Sequence, residues 1–140
     1  MRKNKRKKIV AMLAATLCLS TFGGGICMAS TDTGSFDFIL YPHGNSNKSG
    51  SVEKTGTKEY ANIYISSASN LSPNNKVGFR VRFLSDDSAA TAYALRSSKE
   101  SFRISKLAGV DYKAGVRYYL KAATDSSADN TAKISGTWRP

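Results

Sequence analysis

Cysteine occurs only at Cys18 and Cys27, histidine only at His43, and glutamate only at Glu53, Glu59 and Glu100. Without cysteine after position 27, the rest of the chain has neither disulfides nor thiolate metal ligands to hold it together. With a single histidine and no HxxH, HExxH or GxSxG pattern, the usual metal-hydrolase and serine-nucleophile chemistries lack their residues. The glutamates sit among lysine, arginine and serine, which predicts solvated, ion-paired carboxylates rather than a catalytic acid–base pair. No long apolar run exists either. The longest spans Ile9 to Phe22, shorter than the roughly 20 residues a helix needs to cross a bilayer core.

That short run has a particular setting. It follows Met1–Lys8, which holds six of the chain's 21 Lys and Arg residues, and it precedes Cys27-Met28-Ala29, with small residues at both recognition positions of a signal peptidase. The reading is a signal peptide over 1–29, cleaved after Ala29, and a single domain over 30–140. Secretion, with an extracellular or cell-surface location, follows from it. Lipidation of Cys18 or Cys27 is disfavoured, because Ala15-Thr16-Leu17 and Gly24-Gly25-Ile26 lack the Leu and the small residue that should precede a modified cysteine. All ten acidic residues lie beyond position 30, so the domain carries +5 rather than the whole-chain +11.

Period-two alternation dominates from residue 35 onward. Lys76 to Leu84 sets Val77, Phe79, Val81 and Phe83 against Lys76, Arg80 and Arg82, and the same pattern marks 35–41, 59–66, 115–123 and 131–138. Weaker strand candidates are 49–54, 89–96 and 101–104; for 89–96, Asp86-Asp87-Ser88 could instead cap a helix, with strand favoured. Turn residues separate the segments. The expected fold is all-β, an antiparallel β-sandwich or partly closed barrel of six to eight short strands. The 43–58 tract, rich in Gly, Ser, Asn and Lys with Val52 as its one large apolar residue, reads as a flexible loop or frayed edge strand.

Two patterns could carry chemistry. Asp125, Ser127 and Asp129 alternate as in a calcium loop, but Asn130 stands where the sharp-turn glycine is needed and Gly136 where a bidentate glutamate is, so turn formation explains them better. The other pattern is a surface. The faces opposite the apolar ones carry Lys58, Tyr60, Asn62 and Tyr64, then Lys76, Arg80 and Arg82, then Arg117, Tyr119 and Lys121. If these share one face, Tyr60, Tyr64, Arg80, Arg82, Arg117, Tyr119 and Lys121 are candidate binding residues, since tyrosine stacks on sugars and arginine forks onto phosphate or carboxylate. Cross-strand tyrosine and arginine pairs also stabilise solvated sheets with no ligand.

Tyr112-Lys-Ala-Gly-Val-Arg-Tyr-Tyr-Leu-Lys-Ala122 and the closing Ile134-Ser-Gly-Thr-Trp-Arg-Pro140 resemble small exported β-rich proteins of Gram-positive bacteria. That group has no established activity, and some members are associated with bacteriocin-like genes. The resemblance implies location and fold and supplies no catalytic residues. Taken together, the expectation is an exported, non-enzymatic protein acting at or outside the bacterial surface, with no cofactor or metal. Its expected partner is an anionic or carbohydrate envelope polymer rather than nucleic acid; the alternative is a secreted bacteriocin-like antagonist.

Overall fold

The computed structural model describes residues 32–140. The signal peptide expected over 1–29 and its cleavage after Ala29 lie outside the described residues. Eight strands follow in order: β1 (Gly34–Leu40), β2 (Ser46–Glu53), β3 (Tyr60–Ser69), β4 (Val77–Phe83), β5 (Ala94–Arg96), β6 (Ser101–Ser105), β7 (Arg117–Thr124) and β8 (Ala132–Arg139). They form two antiparallel four-stranded sheets, ordered β1-β8-β3-β6 and β2-β7-β4-β5. The sheets do not join into a barrel, and no helix occurs among the described residues.

The alternation read from the sequence is what builds the core. Phe36, Phe38 and Leu40 of β1, Ala61, Ile63 and Ile65 of β3, and Ile134 and Trp138 of β8 are buried on the inner face of the first sheet. Val77, Phe79 and Val81 of β4 and Tyr118, Leu120 and Ala122 of β7 oppose them from the second. Phe79 ties the layers together, with its ring 6.3 Å from that of Phe36 on one edge strand and 5.3 Å from that of Phe102 on the other. Such edge-to-face contacts add roughly 0.5–1.5 kcal/mol each to what burial provides.

In two segments the pairings decide between the alternatives. Within 89–96 only Ala94–Arg96 is a strand, with Ala89 and Thr91 making isolated bridges to Arg82 and Lys106. The Asp86-Asp87-Ser88 stretch caps no helix. It closes a turn in which Asp87 adopts a left-handed φ of 58° and Ser88 O accepts from Phe83 N–H at 3.0 Å. The 43–58 tract contains β2, an eight-residue edge strand paired with β7 on one side only.

A bulge in β2 bears on the surface. Lys48 pairs with Lys121 and Ser51 with Tyr119, so three steps along β2 match two along β7. The extra residue reverses the side-chain phase. Without it Lys48 would point toward the core; with it Lys48 joins Ser51 on the outer face. Ser49, inside the bulge, accepts a hydrogen bond from Leu120 N–H at 3.0 Å through its hydroxyl.

Candidate functional site

The seven candidate binding residues do not share one face. Tyr60 and Tyr64 lie on the outer side of the first sheet, whereas Arg80, Arg82, Arg117, Tyr119 and Lys121 belong to the second, across the core. The inward–outward assignment within each strand is right, but β3 and β4, adjacent along the chain, belong to different sheets. Tyr119 needs a further correction. Expected to face solvent, it is only 6% exposed, because Lys48 on the edge strand lies over its ring at 5.5 Å.

The second sheet's outer face is organised in rows perpendicular to the strands. In the central row Lys48, Lys121 and Arg80 stand directly opposite one another on β2, β7 and β4. None of the three is ion-paired among the described residues. The next row holds Ser51, Tyr119 and Arg82, and Glu53 faces Arg117 in the one after. Arg82 and Arg117 are both engaged. Arg82 Nε donates to Asp87 Oδ1 at 2.8 Å, and the Arg117 guanidinium donates to the Ser51 hydroxyl and carbonyl at 3.0–3.1 Å. Lys48 and Lys121 border a depression of about 500 Å³, and Lys121 and Arg80 border a smaller one of about 130 Å³. Lys121 is thus the ridge between the two.

Arg80 is positioned by a glycine. Its guanidinium stacks 5.4 Å from the Tyr93 ring, and Tyr93 occupies the space above Gly78, where a Cβ would stand 1.8 Å from the Tyr93 hydroxyl oxygen. Burial and the Asp125 carboxylate push the Tyr93 hydroxyl pKa up, against the opposing pull of Arg80.

On the first sheet, Tyr60 lies beneath two cations, Arg103 at 4.7 Å and Lys58 at 5.6 Å. Tyr64 is 51% exposed. Asp32 joins this side to the chain's far strand. Its carboxylate accepts from the Thr55 hydroxyl at 2.7 Å and from Arg139 Nε at 2.6 Å, and these contacts, Thr55 first, hold its pKa below the ordinary value.

Sequence reasoning missed Lys54. Its side chain has no exposed surface, its ammonium lies 4.6 Å from the Tyr112 ring centre, and it has no hydrogen-bond partner among the described residues. Desolvation lowers its pKa, partly offset by Asp32. The signal was available, since Lys54 continues the inward phase of Val52 two residues earlier. Its charge argued the other way.

The remaining polar candidates serve turns. Asp125 Oδ1 accepts from Ser127 N–H at 3.1 Å and from the Ser127 hydroxyl at 3.2 Å, and these bonds lower its pKa. His43 adopts a left-handed φ of 62° after β1, with its N–H donating to Ala128 O at 3.1 Å. Among the described residues no three His, Cys, Asp or Glu side chains come together as metal ligands, and no helix is long and apolar enough to cross a membrane. No protein-family model matches the chain, and no curated protein matches it.

Proposed function

We propose that this chain is an exported, non-enzymatic β-sandwich that acts at or outside the bacterial cell surface by binding an anionic envelope polymer on the outer face of the β2-β7-β4-β5 sheet. The observation that carries the proposal is the row Lys48, Lys121 and Arg80. Like charges directly opposite on neighbouring strands destabilise a sheet. Elsewhere on the same face the fold supplies counter-charges, as Asp87 does for Arg82. This row has none among the described residues, and a bulge is used to bring Lys48 into it. A polyanion laid across the strands would provide the missing negative charge. Its binding would weaken with salt, because exposed charges are screened over about 8 Å at physiological ionic strength.

The test is the affinity of residues 30–140 for polyglycerol phosphate, measured by calorimetry at low and high salt. The expected result is salt-sensitive binding, lost when Lys48, Lys121 and Arg80 are all replaced by Gln and kept in Tyr60→Ala. Binding that survives the triple replacement would refute this assignment, as would no binding by the unaltered protein.

A further inference from the structure

The opposite face carries a second array with different chemistry. On the outer side of the first sheet, Arg139 of β8 and Arg103 of β6 stand on either side of Asn62 of β3 in one row. The adjacent row is Thr137, Tyr64 and Ser101 on the same three strands. These six residues border a depression of about 350 Å³. Thus a half-exposed aromatic ring and an amide lie at the centre, with two hydroxyls beside the ring and two guanidiniums beside the amide.

The two arginines are not equivalent. Arg139 is held and neutralised by Asp32. Arg103 has no carboxylate partner among the described residues, and it is oriented by stacking on Tyr60. One pre-set, uncompensated guanidinium suits one carboxylate. The ring of Tyr64 suits the apolar face of a pyranose, and Asn62, Ser101 and Thr137 supply donors and acceptors for hydroxyls. The two flanking strands lie two strand spacings apart, about 10 Å, a width that accommodates one substituted sugar ring.

We infer that this face is a separate binding site for a sugar acid, a pyranose bearing a carboxylate, with Arg103 holding the carboxylate and Tyr64 stacking on the ring. The inference goes beyond the polyanion reading and does not depend on it, because no residue is shared. A chain with both sites would join two envelope components, one on each side of the sandwich.

The experiment is an amide NMR titration of residues 30–140 with glucuronate, using glucose and acetate as half-ligands. Saturable shifts are expected at Asn62, Tyr64, Ser101, Arg103 and Thr137, with each half-ligand about tenfold weaker or more, since glucose lacks the charge-assisted contact and acetate lacks both the stacked ring and the hydroxyl hydrogen bonds, each loss on the order of the 1.4 kcal/mol that tenfold represents. Arg103→Gln and Tyr64→Ala should each weaken binding about tenfold or more, while Tyr64→Phe, which keeps the ring, should bind within about threefold of the parent. Dispersed spectra of all three variants would confirm that they fold. Acetate binding as tightly as glucuronate, shifts confined to the Lys48–Lys121–Arg80 row, or no saturable binding would each overturn the assignment. None of those results would alter the polyglycerol phosphate measurement, so the two readings stand or fall separately.

Discussion

The Lys54 ammonium lies 4.6 Å from the centre of the Tyr112 ring, in a side chain with no exposed surface. A desolvated cation–π contact returns only about 2 kcal/mol, and an unpaired buried ammonium costs more than that. Lys54→Met, which keeps the length and removes the charge, should therefore raise stability near neutral pH by about 1 to 2 kcal/mol, read from the urea midpoint. The pH dependence follows with a definite sign. Desolvation lowers the folded pKa of Lys54 beneath its ordinary value, so the unfolded chain holds more protons between the two values. This lysine's contribution to stability must then rise with pH through that window. Lys54→Met should lack that rise; identical alkaline profiles for the two proteins would mean that Lys54 binds its proton equally well in the folded and unfolded chains.

Two glycines should respond very differently to alanine. At Gly136 a Cβ would stand 1.9 Å from the backbone oxygen of Tyr64, inside the β3–β8 pairing, so the sheet itself must move. At Gly78 the obstacle is the Tyr93 side chain, which is half exposed and free to swing away. Gly136→Ala should cost about 3 kcal/mol or more and Gly78→Ala about 1 kcal/mol, both measured by urea unfolding. Similar losses at the two positions would contradict this distinction.

Replacing Lys121 by Gln should separate stability from binding. It removes the central member of the Lys48–Lys121–Arg80 row and so relieves two like-charge contacts, each of which costs on the order of 0.2–1 kcal/mol. The variant should melt slightly higher at low salt, lose that advantage at high salt, and bind polyglycerol phosphate more weakly. A lower melting temperature at low salt would show that the row is not under repulsion.

Trp138 is 1% exposed although it lies two residues from the end of the described chain. Its emission should be blue-shifted in the native protein and move to the red on unfolding, with little quenching by acrylamide beforehand. Truncation after Gly136 removes this side chain together with its pairings to Gly34 and Ile63. Loss of the cooperative transition is expected from a cut that empties so much of the core.

What the sequence made legible was local. Alternation identified the inward residues of β1, β3, β4 and β8 one by one, because a strand's phase is written in consecutive side chains. Sheet membership was not legible, since it depends on pairings between segments far apart in the chain. For that reason the condition that Tyr64 and Arg80 share one face fails: they lie on opposite sides. Tyr119 was misjudged for a related reason: the lysine that covers it sits on another strand and reaches it only through a bulge near Gly50. In β7, Tyr118 and Tyr119 are both buried, one in the core and one under a neighbour, and alternation cannot distinguish cover of the second kind from exposure.

The strand order has a kinetic consequence. Of the eight strands, only β4 and β5 are neighbours both along the chain and within a sheet. Every other pairing must close a long loop before it gains anything, and architectures of this kind fold in roughly milliseconds to seconds rather than microseconds. The last of the described strands, β8, is an interior strand that lies between β1 and β3, so the first sheet cannot assemble until residues 132–139 are in place. This topology would delay assembly of the first sheet until β8 is available to pair.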